Sequence, residues 1–237
     1  MPLATASPVR DTARPARSGG VYEALKREIM LGDLRPGTPL TELDLAARFG
    51  CSQGPVREAL LALQQDGLVI RKGHRGTSVS DCTAEEAVEM FRLRQSIECR
   101  TVPRAIQRAG RAAAPGLAAD LAALVDAMEA LARAEDEYGL AEVDREFHRR
   151  ILREADLPAL DPILHRCLIH NHRFKISRSE APRDLVATAR RHLPIVEAVE
   201  RRTPSAAVAA LGHHIATIVD FGPAVFDDAG PHQPGAP

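Results

Sequence analysis

Apolar residues recur every three to four positions through most of this 237-residue chain, the spacing that places them on one face of an α-helix. Val21, Leu25 and Ile29 define a first amphipathic helix. Strand patterns are confined to two short stretches, at 68–70 and 77–79. The pattern therefore predicts a mainly α protein whose few strands lie in the first third of the chain.

The range 41–75 predicts two short helices, a tight turn and a two-stranded ribbon. Thr41 can cap the first helix, which we expect to end at Gly50 because glycine tolerates the left-handed conformation that stops a helix. Ser52 can cap a second helix that runs to about Gln65. With a Gly-rich turn between the strands, this order of elements is that of a helix-turn-helix followed by a wing.

The second of these helices carries a polar outward face. Gln53 and Arg57 lie four positions apart on it, beside the small Gly54. Long donor side chains near a helix N-terminus suit base edges and phosphates. From the residues alone, two interpretations of Arg57 stay open: a solvated surface arginine, or a side chain inserted in the major groove.

The composition is that of a soluble globular protein, with 45% hydrophobic and 27% charged residues. No apolar run approaches the ~20 residues of a membrane span, and the N-terminus lacks a signal-peptide pattern, so we expect a cytoplasmic protein without a membrane partner. Residues 1–80 hold 11 Lys and Arg against 8 Asp and Glu, whereas the remainder is acidic. This balance favours the N-terminal part for nucleic-acid binding.

Four segments are expected along the chain. Residues 1–19 predict a disordered tail, 20–80 a winged helix-turn-helix domain, 81–227 an all-helical domain and 228–237 a second disordered tail. The all-helical domain is predicted to contain six helices, at about 84–110, 116–136, 138–155, 159–178, 183–201 and 205–222. The four cysteines lack CxxC spacing, and no GxSxG, Walker or GxGxxG motif is present.

Four polar side chains point toward the expected core of the helical domain: Asp144, His148, His192 and His214. Burying one carboxylate and three imidazoles is unfavourable unless they are paired, and a divalent cation would satisfy all four. Three nitrogens and one oxygen suit Zn²⁺, Ni²⁺ or Mn²⁺. For each histidine alone, a hydrogen-bonded core residue is the open alternative. The histidines that show no such convergence, and to which we assign no metal, are His74, His165, His170, His172 and His232.

Arg94 and Glu98 share the apolar stripe of the first helix in this domain. Two interpretations stay open: an ion pair between residues four apart, or an arginine that reaches a carboxylate effector which also touches the metal. Asn171, inward on the fourth helix, is a further candidate for lining the same cavity.

The segment 21–79 resembles the winged helix-turn-helix of the GntR family of bacterial transcription regulators. The resemblance is carried by RPGTPLTELDLAARFG, the PVREAL hexamer, the DGLV turn and the Gly-rich wing. Many members have an arginine where Gln53 stands. The resemblance implies DNA contacts from the helices and the wing, and the candidates are Thr41, Ser52, Gln53, Gly54, Arg57, Gly73, His74 and Arg75.

The helical domain resembles the C-terminal FCD domain of FadR-type GntR regulators. Asp144-x-x-Phe147-His148, then His192 in RRHLPIVEAV, then His214 carry this resemblance. In many such domains an Asp and three His bind a metal inside an all-helical bundle, next to an effector pocket. Six helices would place the domain nearer the shorter, VanR-like subgroup.

Together the two resemblances imply a homodimeric, ligand-responsive transcription regulator, which we expect to be a repressor and not an enzyme. It would bind a roughly palindromic operator in double-stranded DNA and a small carboxylate effector over the metal. Two alternatives stay open: a regulator for which the metal alone is the signal, and a metal-dependent hydrolase, since such a site can activate water.

Overall fold

The computed structural model describes residues 18–71, 73, 76–111, 116–177 and 184–218. Within these ranges it contains ten α-helices and three short strands. In chain order they are α1 (Ser18–Leu31), β1 (Pro39–Leu40), α2 (Glu42–Phe49), α3 (Gln53–Gln65), β2 (Val69–Arg71), β3 (Thr77–Val79), α4 (Ala84–Ala109), α5 (Leu117–Arg133), α6 (Glu137–Ala155), α7 (Asp161–Ser177), α8 (Leu185–Arg190), α9 (Leu193–Glu200) and α10 (Pro204–Ala216). The predicted fold class, mainly α with a winged helix-turn-helix before a helical bundle, is confirmed.

The three strands form one antiparallel sheet in the order β1-β3-β2, beside α1, α2 and α3. Its register pairs Leu40 with Thr77 and Val69 with Val79. The sequence pattern did not predict β1, because two residues are too few to show a period. β2 and β3 form the wing where the sequence predicted it.

Both ends of α2 form as predicted. The hydroxyl oxygen of Thr41 accepts a hydrogen bond from the amide of Asp44 at 3.1 Å, and Gly50 ends the helix at a left-handed φ of 60°. Ser52 precedes α3 as predicted, but its side chain makes no capping hydrogen bond in the described part of the chain. α3 is held instead by its apolar face, on which Val56 is fully buried.

The bundle is formed by α4 to α10, with α4 against α6 and α10, and α5 against α6 and α8. Its core consists of apolar side chains with little or no exposure: Val102, Ala105, Leu121, Val125, Met128, Phe147, Ile151, Ile195, Ala207 and Leu211. The ends of α4, α5, α6 and α7 lie within about three residues of the predicted ones. Judged by length and apolar content together, none of the described helices qualifies as a membrane span.

The prediction of one continuous helix over 183–201 was wrong, because a turn at residues 191 and 192 separates α8 from α9. Pro194 has no amide hydrogen and cannot donate to the carbonyl of Arg190, so the helix is interrupted. His192 consequently lies at the N-cap of α9 and not in the middle of a helix.

Two other predicted boundaries differ from the structure. α10 ends at Ala216, short of the predicted residue 222, and residues 219–222 lie outside the described ranges. α1 begins at Ser18, so the last two residues of the predicted tail 1–19 are helical. The remainder of that tail and the predicted tail 228–237 also lie outside the described ranges.

The winged domain and the bundle are in contact through α1, α6 and α7. Tyr138 and Ile169 of the bundle extend the buried apolar core of the winged domain. Lys26 of α1 is buried, and its Nζ lies 3.1 Å from a carboxylate oxygen of Glu142 on α6. The two parts therefore share both an apolar and a charged contact.

The turn after α3 also touches the bundle. Gly67 has a φ of 78°, and a Cβ on this residue would come within 2.8 Å of side-chain nitrogens of Arg166 and His170. The left-handed backbone favours glycine, and a Cβ would also displace the ends of the Arg166 and His170 side chains.

Candidate metal centre and nucleic-acid interface

The first turn of α3 presents polar groups to solvent. Ser52, Gln53, Gly54 and Arg57 are exposed, while the opposite face of the helix packs on α1. Gln53 and Arg57 lie about one helical turn apart on the same side. The predicted outward face is confirmed, and its contact with DNA stays a prediction.

Arg57 is held by a residue that the sequence analysis did not single out. Its Nε lies 3.1 Å from both carboxylate oxygens of Glu42, the first residue of α2, and its Nη2 lies 2.7 Å from Oε2. The hydrogen bond from Arg57 holds the pKa of Glu42 below its usual value. The two residues are 15 positions apart on different helices, so no periodicity within one helix indicates their pairing.

Among the predicted wing contacts, Gly73 is within the described residues and is exposed, with a φ of 47°. His74 and Arg75 lie outside the described residues. Thr41 is exposed at the start of α2, where its hydroxyl oxygen already accepts the capping hydrogen bond.

The four predicted ligands converge inside the bundle. One potential ligand atom from each of Asp144, His148, His192 and His214 lies within 4.8 Å of the other three, and all four residues are buried. An ion bound at about 2.0–2.2 Å by each ligand keeps its ligands roughly 3–4.4 Å apart, which is close to this spacing. The predicted convergence is found in the structure, and metal binding stays a prediction.

Two members of the cluster, His214 and Asp144, have the protonation states that metal binding requires. Neither ring nitrogen of His214 has a hydrogen-bond partner among the described residues, although the residue is only 4% exposed. Burial, followed by the neighbouring His192 and His148, holds the pKa of His214 well below its usual value, so the ring is neutral. Burial raises the pKa of Asp144, but His172 and His192 outweigh it and the pKa lies well below its usual value. Neutral imidazoles and an ionised carboxylate are the forms that bind metals.

Two residues of α4 orient His148. Glu98 Oε2 lies 2.5 Å from His148 Nδ1, and Arg94 Nε lies 2.6 Å from Glu98 Oε1. Because the Glu98 carboxylate accepts a hydrogen from Nδ1, Nε2 is left as the nitrogen with a lone pair. Arg94 Nη2 lies 2.6 Å from that Nε2. Of the two interpretations of Arg94, the ion pair with Glu98 is present in the structure, and binding of an effector stays a prediction. The contact of both residues with His148 was not foreseen.

His172 lies outside the group of four potential ligands, but it contacts one of them, which the sequence did not indicate. Its Nε2 lies 2.8 Å from Asp144 Oδ2, and its Nδ1 lies 3.3 Å from Arg145 Nη1. Burial lowers the pKa of His172 to about 4, against the opposing effect of Asp144. α7 is buried on most sides from Cys167 to Phe174, so its sequence shows no single inward face. The contact with α6 could not be read from α7 alone.

The other predicted positions are distributed as follows. His165 Nε2 lies 3.3 Å from Asp66 of the winged domain, and His170 is buried beside Gly67, so neither joins the cluster. His74 and His232 lie outside the described residues. Asn171 is fully buried on α7, where its Nδ2 donates to the carbonyl oxygen of Ala87 at 3.5 Å.

A small cavity lies beside the cluster, between α6, α7 and α8. Its lining includes Leu140, Asp144, His172, Lys175 and Thr188. Burial lowers the pKa of Lys175, while Asp144 acts in the opposite direction. The predicted effector contacts Arg94 and Asn171 are not among the lining residues.

Two family descriptions match the chain. Bacterial regulatory proteins of the gntR family match at residues 17–79, and the FCD domain matches at residues 89–217. The second match alone covers more than half of the chain. The two matches coincide with the winged domain and with most of the bundle.

Individual proteins are similar along most of the chain. The protein named "Probable D-xylose utilization operon transcriptional repressor" of Paenarthrobacter nicotinovorans is 32% identical over 200 residues, covering 83% of this chain and 84% of that protein. The HTH-type transcriptional repressor RspR of Escherichia coli K12 is 28% identical over 200 residues, covering 84% and 85%. The solved structure of E. coli McbR/YncC has a TM-score of 0.68 at 21% identity and covers 84% of this chain and 92% of that chain, which shows a common fold.

Proposed function

The chain belongs to the GntR family of bacterial transcription regulators and carries an FCD domain, and we propose that it is a ligand-responsive repressor. Its relatives are regulators and not enzymes, which sets aside the hydrolase alternative. Repression is proposed because both relatives described above are named as repressors. In this proposal, residues 20–80 bind DNA and residues 81–227 bind the effector.

The polar face of α3 carries the DNA-binding part of this proposal. Gln53 and Arg57 are exposed near the N-terminus of the second helix of a helix-turn-helix, the part of the motif that enters the major groove. The wing around Gly73 would lie against the backbone or the minor groove. A homodimer would present two such faces to a palindromic operator, because operator symmetry mirrors protein symmetry. We place this activity in the cytoplasm, where the DNA is.

In the bundle, Asp144, His148, His192 and His214 would hold one divalent ion, for which Zn²⁺, Ni²⁺ and Mn²⁺ are the candidates. The ion would supply positive charge and open coordination positions for an oxygen ligand. The fit is supported by the buried His214 nitrogens, which lack partners among the described residues. The Glu98 contact leaves the lone pair of the His148 ring on Nε2, and this nitrogen would bind the ion once the hydrogen bond from Arg94 Nη2 to it is released.

The effector is inferred to be a small organic acid. Arg94 Nη1 and Asn171 Oδ1 are buried and have no hydrogen-bond partner among the described residues. A guanidinium beside a cation site favours a carboxylate, and the amide of Asn171 suits a hydroxyl or a second oxygen. Because one relative is named for D-xylose utilization, acids derived from sugars are the first class to screen.

Polar contacts connect the cluster to the winged domain. His172 lies 2.8 Å from Asp144 and 3.3 Å from Arg145, which in turn pairs with Glu142. Glu142 contacts Lys26 of α1 at 3.1 Å. An effector that binds one arrangement of these contacts more tightly than another would shift the DNA-binding equilibrium.

Fluorescence anisotropy with DNA from upstream of the gene tests the function. We expect that DNA to be bound at least about a hundredfold more tightly than a shuffled duplex of equal length, because specific binding exceeds non-specific binding by orders of magnitude. Sugar acids that reduce the affinity for this DNA would identify the effector class. Equal affinity for both duplexes would contradict the proposal.

Elemental analysis tests the metal centre. We expect about one divalent ion per chain in the wild type and none in His192→Ala/His214→Ala, because the double variant keeps too few ligands. His213→Ala, on the exposed side of α10, is the matched control and should keep the ion. An unchanged ion content in the double variant would remove the metal from the proposal.

A regulator for which the metal alone is the signal is the second candidate. It is favoured by the position of Asp144, which belongs to the cluster and also contacts His172, the first link toward α1. Operator affinity that follows the metal concentration without any organic ligand would support it. Affinity that stays constant across the metal titration would leave the organic effector as the signal.

A further inference from the structure

The Arg57–Glu42 pair uses one edge of the guanidinium and leaves the other edge open. Nε and Nη2 of Arg57 lie 2.7–3.1 Å from the Glu42 carboxylate. Nη1 donates to none of the described residues. The open edge, Nη1 with the second hydrogen of Nη2, points away from Glu42 by the planar geometry of the group. It is also exposed, since 60% of the Arg57 side chain is accessible.

A guanidinium fork is the side-chain group best matched to guanine, because it donates to O6 and N7 of one base in the major groove. A surface arginine without a partner samples many rotamers, and ordering it upon binding costs free energy. Glu42 comes from a different helix, so it fixes the position of the Arg57 head relative to both helices of the motif. The fork is therefore ordered before DNA arrives.

We propose that Glu42 is a positioning residue that aims the open edge of Arg57 at a guanine, so that each operator half-site contains one guanine that Glu42 makes obligatory. The inference rests on the proposed function, because it requires α3 to enter the major groove. The partner it specifies is a duplex with guanine at the position read by Arg57. Gln53, one turn earlier on the same face, is free to read an adjacent position.

Two other effects of Glu42 have different consequences. As the first residue of α2, its carboxylate favours the positive end of that helix whether or not Arg57 is present. An anion beside the DNA-reading face also repels phosphates, so removing it should strengthen binding to any duplex. Neither effect distinguishes guanine from other bases, whereas the positioning effect does.

Selection from random-sequence duplexes, followed by anisotropy on single-base variants of the selected site, tests the inference. The wild type should select a site with a guanine whose preference disappears in Arg57→Ala. In Glu42→Gln that preference should fall about tenfold or more, because one aimed bidentate contact is lost, while the preferences at other positions remain. Binding to a shuffled duplex should be unchanged or tighter.

Three further variants make the outcome decisive. Glu42→Asp keeps the charge at the helix N-terminus but shortens the reach, so it should also lose the guanine preference. Glu28→Gln removes the partner of Arg48, a comparable pair within the winged domain, and should keep the preference. Arg57→Ala/Glu42→Gln should lose no more guanine preference than Arg57→Ala, because Glu42 acts through Arg57.

Retention of the full guanine preference in both Glu42→Gln and Glu42→Asp would overturn the inference, and so would an equal loss of affinity for every duplex. A wild type that enriches a site without guanine at the Arg57 position would also overturn it, while leaving the proposed function intact. A wild type that enriches no sequence at all would contradict the proposed function itself.

Discussion

Two arginine–glutamate pairs, one in each half of the molecule, have similar nitrogen–oxygen distances and opposite surroundings. The shortest nitrogen–oxygen distance is 2.7 Å in Arg57–Glu42 and 2.6 Å in Arg94–Glu98. The side chains of the first pair are 60% and 25% exposed, and those of the second 0% and 2%. The first pair is exposed and leaves one edge of the Arg57 guanidinium accessible to DNA, whereas the second is fixed by the cost of leaving a buried charge alone.

The difference indicates what each half is built to do. The α3 surface exposes charged side chains that can contact a nucleic acid. The bundle encloses charge, and Arg94, Glu98 and His148 satisfy one another there at 2.5–2.6 Å. In the proposed function, such a buried network would respond to a ligand as a unit, and the contacts of α6 and α7 with α1 would carry that response to the winged domain.

Substituting the glutamate of each pair, Glu98 or Glu42, tests this comparison most directly. We expect Glu98→Ala to lower the free energy of unfolding by about 3–5 kcal/mol, because it leaves the Arg94 charge buried without its partner. Glu42→Ala, the matched control in the exposed pair, should change stability far less. Urea denaturation monitored by circular dichroism measures both. A smaller loss for Glu98→Ala than for Glu42→Ala would contradict the account.

A buried histidine at the contact between the two halves should make the free energy of unfolding depend on pH. Burial, followed by Arg166 and Arg173, lowers the pKa of His170 to about 4, while Glu86 opposes the shift. The unfolded chain binds a proton near pH 6.5 and the folded chain does not, so stability is lost as the pH falls from about 6.5 toward 4. We expect His170→Gln to reduce this loss by up to about 3 kcal/mol. His213→Gln, at an exposed position of α10, controls for the substitution itself.

Removing the contact between Lys26 and Glu142 tests how the two halves are coupled. This substitution should have the smallest effect on stability among these variants. Lys26→Met removes the buried contact with Glu142. Arg27→Met, the comparison, removes an exposed contact of 3.5 Å with Asp136 and the guanidinium that lies over the ring of Tyr138. We expect Lys26→Met to bind operator DNA about as tightly as the wild type but to respond less to chelation of the metal. Coupling between sites is typically about 1–3 kcal/mol, so anisotropy with and without chelator resolves its loss. An undiminished response would show that coupling takes another route.

The elements that could be predicted are those whose pattern of apolar positions lies within one continuous segment of the chain. Helical periodicity gave the ends of α4 to α7, and the apolar stripes gave the inward positions of Asp144, His148 and His214. The break before α9 was missed because the apolar period continues across Pro194, although a proline within a helix pattern is itself a signal for a break.

Two contacts between particular side chains of different helices were not predicted from the sequence. His172 on α7 meets Asp144 on α6, and Glu42 on α2 meets Arg57 on α3. Each depends on how two helices cross, and a single sequence does not contain that information as a period. β1 is missed for a different reason, since its two residues form a strand only by pairing with β3.

In the proposed function, the exposed α3 surface binds DNA and the bundle controls that binding. Anisotropy titration of the upstream DNA with wild type and with Arg57→Ala tests this most directly, with Arg201→Ala, an exposed arginine of the bundle, as control. We expect at least about a tenfold loss of specific affinity for Arg57→Ala at unchanged thermal stability, and no loss for the control. Equal affinity of Arg57→Ala and wild type for that DNA would contradict it.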